Sequence, residues 1–273
     1  PTAGMILMRN FHGTTPLIVQ QGGSLYYPTA SEGTALGGEA TVNGFTKLTD
    51  LFTIYNLPVN IDNFYQHFRN GDMPLGIADY ATYNMLTNAA PELASSWDIA
   101  LAPGTTQEDG TIDRSVCGCA EASVIFKSDD ERQKKAWEFV KWWSSAETQA
   151  TFGQTIQISY GSEYIWPTAN MKAFQQLPLE TNAKNVIAET AKNVVDVPRV
   201  PGTYLLEREM SNTFNDIAVN AQDARTRIDK AVKSINHEFD RKLEEFGYND
   251  SNGSVIKDYK IPTLETVTRL LGR

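Results

Sequence analysis

Residues 136–149, AWEFVKWWSSAETQ, are the most informative stretch of this 273-residue chain. They read as an amphipathic helix carrying three tryptophans, and they follow a short β-branched and aromatic run, ASVIF, at 122–126. The intervening Ser128-Asp129-Asp130-Glu131 marks a helix start, since acidic side chains are favoured beside the positive end of the helix dipole. Over a helix at 131–151, Ala136, Phe139, Val140 and Trp143 share the buried face, with Trp137 three positions before Val140 on the same side. Aromatic-rich loops follow around Trp166 and Tyr204, and no catalytic constellation accompanies them. The combination points to a protein that holds a ligand between aromatic surfaces and performs no chemistry on it.

Outward from this segment the elements alternate. Residues 5–21 read as an apolar helix or strand ending at Gly22-Gly23, and 28–44 as a Gly- and Thr-rich loop with a hairpin. Phe45, Leu48, Leu51, Phe52 and Tyr55 line one face of a helix over 44–56, and a short helix over 61–70 stops at Asn70-Gly71. Strands are predicted at 73–80, 97–102 and 122–126, with a helix over 81–88 before Pro91. Helices fit 170–176, 180–194, 206–220 and 222–246, the last ended by Gly247. Strands separated by helices imply an α/β arrangement, in which ligands bind at loops beyond the strand ends.

Composition removes several function classes. Apolar residues make up 41% and charged residues 21% of the chain, and no run is long and apolar enough to span a bilayer. Net charge is −9, with 24 basic residues scattered among 33 acidic ones. A nucleic-acid partner requires a basic stripe, and none is visible, so no nucleic acid is expected. Cys117 and Cys119 are too close in sequence for an unstrained disulfide and read as two thiols. They cannot make a four-ligand zinc site, so neither a metal nor a cofactor is expected. There is no GxxxxGK[ST], GxGxxG, GxSxG or HExxH. His12, His67 and His237 are far apart in sequence and read as surface or packing residues. Asp79, Asp98, Glu163 and Glu207 are the carboxylates that a glycosidase pair would draw on. The N-terminal PTAGMILMRNFHG lacks the charged-then-apolar order of a signal peptide, and no initiating Met is present. The expectation is a processed chain or a piece of a longer one.

Eight segments then carry a resemblance: LIVQQGGSLY at 17–26, DLFTIYNLP at 50–58, FRNGDMPLGIADYATYNML at 68–86, APELASSWDIALAPGT at 90–105, SDDERQKKAWEFVKWWSSAETQATFG at 128–153, PTAN at 167–170, VPGTYLLER at 200–208 and INHEFDRKLEEFG at 235–247. In this order and spacing the chain resembles the C-terminal two-thirds of a bacterial extracellular solute-binding protein of family 1, the sugar-binding component of ABC importers. The resemblance implies a type II periplasmic-binding-protein-like α/β fold of two lobes with ligand in the cleft between them. It further implies that this chain is mostly the C-terminal lobe, with the first N-lobe segment absent. On that basis residues 1–114 form the first part of the C-lobe, 115–150 return toward the N-lobe, and 151–273 complete the C-lobe with its C-terminal helices. The tryptophan helix is then expected to fold back on the C-lobe or to expose an apolar association surface.

The resemblance also nominates ligand contacts: Tyr80 and Tyr83, with Asp79 beside them; Tyr204 and Arg208; Trp166; and His12. Sugar chemistry suits these residue types, because a pyranose stacks its C–H face on aromatic rings and offers hydroxyls to polar side chains. The implied partners are a small-molecule carbohydrate and a membrane permease. The implied location is extracytoplasmic, as a cell-surface lipoprotein or in the periplasm. The implied function is capture of a carbohydrate, an oligosaccharide in particular, without enzymatic turnover. A degenerate lobe serving as a sensor or scaffold module, and a glycan-active hydrolase, are the alternatives.

Overall fold

A computed structural model describes residues 11–59, 63–118, 121–195 and 198–262. In chain order the described elements are α1 (Phe11–Gln20), α2 (Glu39–Thr53), α3 (Phe64–Arg69), α4 (Tyr80–Ala89), β1 (Thr105–Thr106), β2 (Ile112–Asp113), β3 (Val116–Cys117), α5 (Asp130–Trp143), α6 (Ala146–Tyr160), α7 (Met171–Phe174), α8 (Thr181–Lys192), β4 (Val194–Val195), α9 (Thr203–Ala218) and α10 (Ala224–Glu245). None of these helices is long and apolar enough to cross a membrane. The chain divides into two compact units, one drawn from Pro1–Ile77, Ala102–Gly118 and Asn193–Arg273, the other from Ala78–Leu101 and Cys119–Lys192.

The first unit is built on helix packing. The periodicity read at 44–56 becomes α2, with Phe45, Leu48 and Phe52 buried. Tyr55 lies beyond the helix end and is exposed. Gly44 lets α1 approach closely, since a Cβ there would sit 2.7 Å from the Ile18 Cα. From the other side α9 contributes Leu206, Met210 and Phe214, and α10 contributes Ile228, Ile235 and Phe239. The rings of Phe52 and Phe214 meet edge to face at 4.9 Å between centroids. Asp223 caps α10 by accepting the Thr226 N–H at 2.8 Å, and Gly247 ends the helix in a left-handed conformation at φ 72°, as its C-cap pattern predicts.

Two small β pairs complete this unit. β1 and β2 are antiparallel, while β3 and β4 run parallel with Val116 opposite Val194. The backbone N–H of Val116 donates to Asn193 (3.0 Å) and that of Gly118 to Val195 (3.1 Å). Gly118 permits this contact, because a Cβ would lie 2.3 Å from Val194 Cγ1. Cys117 sits in β3 against the core, and Cys119 lies outside the described residues.

The second unit holds α4 to α8 and buries smaller apolar groups, chiefly Leu86, Ala150, Phe174, Leu177 and Ala183. The helix expected over 131–151 is two helices, broken at Ser144-Ser145. Ser144 Oγ donates to the Val140 carbonyl at 2.7 Å, and Ser145 Oγ accepts the Thr148 N–H at 3.3 Å and so caps α6. Adjacent serines compete for backbone groups and favour a break. The expected buried face of α5 also changes. Ala136, Val140 and Trp143 face inward with Gln133, whereas Phe139 is 59% and Trp137 54% exposed. At 100° per residue those two rings flank the inward stripe instead of joining it. Trp142 is likewise exposed, leaving apolar ring surface open along α5.

The strands expected at 73–80, 97–102 and 122–126 run as irregular backbone, apart from a bridge residue at Gly76 and Tyr80, which begins α4. Val124 and Phe126 are 75% and 85% exposed. Apolar, β-branched composition specifies a strand only when a second strand supplies the ladder, and among the described residues none does. The hairpin expected within 28–44 is replaced by a 3₁₀ turn at Ala30–Glu32 and the start of α2, with one bridge from Tyr26 to Thr34.

Phe214 is fully buried and joins α9 to α2. Phe214→Ala should destabilise the first unit by about 3–5 kcal/mol, read as a fall in the urea midpoint. A change below about 1 kcal/mol would mean that this ring does not hold the core together.

Candidate functional site

Asp79 sets the entry of α4. Its carboxylate accepts the Thr82 N–H and the Thr82 hydroxyl, each at 2.8 Å, so it acts as the helix cap. The capped first turn places Tyr80 and Tyr83 on one face, with rings near parallel at 21° and centroids 6.3 Å apart. The edge of Phe174 closes on Tyr80 at 6.2 Å, and Trp97 meets Tyr83 at 5.8 Å and 63°. The result is an aromatic surface built from α4, α7 and the segment before Asp98.

Polar groups border it. Asn182 donates to Asp98 at 2.8 Å, Asn84 donates to the Glu163 carbonyl at 2.8 Å, and Ser162 donates to Asn88 at 2.5 Å. Glu180 accepts the Ala183 N–H at the start of α8, which holds its carboxyl below the usual range. The Tyr80 hydroxyl is buried and has no hydrogen-bond partner among the described residues. Burial, with the Tyr83 phenol adding to it, pushes the Tyr80 pKa up to about 12, so the group remains a neutral donor. An unpaired buried hydroxyl costs about 1–3 kcal/mol.

The other sequence-predicted residues lie elsewhere. Trp166 belongs to a packing cluster: its indole N–H donates to Gln149 at 2.6 Å, and its ring sits against Phe152 at 4.9 Å and Trp143 at 5.6 Å. Tyr204 begins α9 in the other unit with its ring half exposed, but its hydroxyl donates to Glu238, which Arg241 grips at 2.7 and 2.8 Å. One turn on, Arg208 lines a groove between α9 and α10. The side chain of His12 falls outside the described residues. Of the predicted set, the structure therefore brings together Asp79, Tyr80 and Tyr83. Trp97, which is not among the residues predicted for the site, is partly buried and borders Tyr83. Its neighbour Asp98, in the same WD pair, was the available signal.

Residues 10–168, more than half of the chain, match the family of bacterial extracellular solute-binding proteins. No curated protein matches the chain. Three solved structures are similar to it at 16% identity. The sugar-binding protein MalE from the phytopathogen Xanthomonas citri gives a TM-score of 0.70 over 90% of this chain and 60% of its own. A cyclo/maltodextrin-binding protein complexed with maltotetraose gives 0.61 over 88% and 59%. MalX from Streptococcus pneumoniae, in complex with maltopentaose, gives 0.59 over 84% and 59%. The chain thus spans about three fifths of the length of these structures. At that identity the likeness is one of fold, the type II periplasmic-binding-protein-like α/β fold.

The Tyr204–Glu238–Arg241 cluster has a pH signature. Hydrogen bonds from Arg241 and then Tyr204 lower the Glu238 pKa from 4.5 to about 2. Its stabilising contribution is therefore complete above about pH 4.5 and is lost as pH falls toward 2. Denaturation midpoints followed across that window should fall less steeply for Glu238→Gln than for the parent chain. Equal slopes would mean that Glu238 titrates normally in the folded protein.

Proposed function

The chain belongs to the bacterial extracellular solute-binding proteins, and from that premise we propose that it captures a carbohydrate, specifically an oligosaccharide, on the Tyr80–Tyr83–Trp97 surface. The single observation that carries this reading is the pair of near-parallel tyrosines beside an unpartnered buried hydroxyl. Stacked rings accept the apolar face of a pyranose, while Tyr80 supplies a donor for one of its oxygens. The border carries Asp98 and Asn182 to bond equatorial hydroxyls. The similar MalE, maltodextrin-binding and MalX structures are sugar-binding proteins or hold malto-oligosaccharides, which supports the same ligand class.

In this reading the sugar is held and released unchanged, and it passes to the membrane permease of an ABC importer outside the cytoplasm. A lipid anchor or periplasmic confinement would keep the protein near that permease. Three of the four carboxylates a glycosidase would recruit are engaged structurally, Asp79 as a helix cap, Asp98 with Asn182 and Glu207 in an ion pair with Arg199.

Thermal unfolding against malto-oligosaccharides and other sugars tests the proposal. A ligand at a hundredfold excess over its dissociation constant should add about 2.7 kcal/mol to stability. Tyr80→Phe separates binding from folding. It removes the unpaired hydroxyl, so the ligand-free midpoint should hold or rise, while sugar affinity falls about tenfold. Tyr83→Ala should abolish the ligand-induced shift with the helical circular dichroism preserved. A shift that survives both substitutions, or sugar recovered cleaved, would sink the assignment.

A further inference from the structure

A second surface belongs to the first unit. Leu205, Arg208 and Glu209 of α9 face Lys233, Ser234, His237 and Glu238 of α10 across a groove of about 450 Å³. Each of its two carboxylates has an arginine partner that it shares with another acid: Arg227 reaches Glu209 at 3.3 Å and also pairs with Asp216, and Arg241 grips Glu238 at 2.7 Å and also reaches Glu245 at 3.2 Å. Arg208 and Lys233 make no hydrogen bond or ion pair among the described residues, and both are exposed. His237 interacts with Asp240, a carboxyl that burial pushes up and His237 pulls down. In a chain of net charge −9, one groove therefore concentrates Arg208, Lys233 and His237 with no acid engaging the first two.

We propose that this groove binds a phosphate group, either inorganic phosphate or the phosphate of a small ester. A guanidinium offers a planar fork of donors and an ammonium a point charge, and together they suit a tetrahedral oxyanion. The Ser234 hydroxyl and the His237 ring lie one helical turn or less from Lys233 and add donors from the same wall. Glu209 and Glu238 also line the groove, each with its carboxylate hydrogen-bonded to an arginine. The inference goes beyond carbohydrate capture and does not depend on it, because neither Lys233 nor His237 belongs to the Tyr80–Tyr83–Trp97 surface.

Isothermal titration of the intact chain with inorganic phosphate and with glycerol phosphate, each against chloride at matched ionic strength, tests it. Saturable binding of phosphate but not chloride is expected, weakened about tenfold by Lys233→Gln and again by His237→Gln. Both are exposed surface changes that should leave the fold intact, which circular dichroism checks. Tighter binding of the ester would identify an organic phosphate as the ligand, and tighter binding of the free ion would identify phosphate itself. Heat reproduced by chloride, or binding unchanged in Lys233→Gln, would overturn the proposal whatever the sugar panel shows.

Discussion

Two backbone hydrogen bonds, from Val116 to Asn193 and from Gly118 to Val195, hold the organisation of this chain in place. They pair β3 with β4, and between those strands runs the stretch Cys119–Lys192, the larger part of the second unit. A long excursion that must return to its starting point costs closure entropy. The parallel pair is the point of return. Gly118 makes it possible, since any side chain there would strike Val194. Beside it, Gln20 on α1 donates to the carbonyls of Pro103 and Ser115, so the segments flanking both small β pairs are tied to one helix.

The two units divide the physical work. The first is organised around a conventional apolar core of α1, α2, α9 and α10, with its charged groups paired at the edge, as Arg227 is with Asp216 and Glu209. The second spends its aromatic residues differently. Few are buried, and many meet one another in stacked and edge contacts, from Tyr80–Tyr83–Trp97 to Trp143–Phe152–Trp166. Aromatic surface retained in contact with water is costly for folding and favourable for recognition. That contrast supports the proposed carbohydrate surface in the second unit.

What the sequence made legible follows from the range of the interactions involved. Helix α2 was readable because Phe45, Leu48 and Phe52 repeat on one face, and the end of α10 because Gly247 sits where only a left-handed residue serves. These signals are local. The break at Ser144-Ser145 was equally local but was outweighed in the reading by the apolar period running through it. The expected strands failed for a different reason: the composition of ASVIF states a preference, and the partner that would satisfy it is a non-local fact. At the site, Tyr80 and Tyr83 were reached through the family resemblance, while the local pattern put Tyr80 at the end of a strand; α4 begins at Tyr80 and carries both. The commitment of the Tyr204 hydroxyl to Glu238, and of the Trp166 indole to Gln149, depends on residues 34 and 17 positions away, and no spacing rule reports such pairings.

The edge-to-face contact of Phe52 with Phe214 has a bearing on biosynthesis. During translation the first ring leaves the ribosome on the order of ten seconds or more before the second, at ordinary elongation rates. Until α9 emerges, α1 and α2 present Ile18, Leu48 and Phe52 to solvent with nothing to cover them. The second unit ends at Lys192, so its chain is complete before α9 and α10 are made. The unit that begins first in sequence is therefore the last to be completed, and for that interval a holding chaperone would find its natural target in the apolar face of α2.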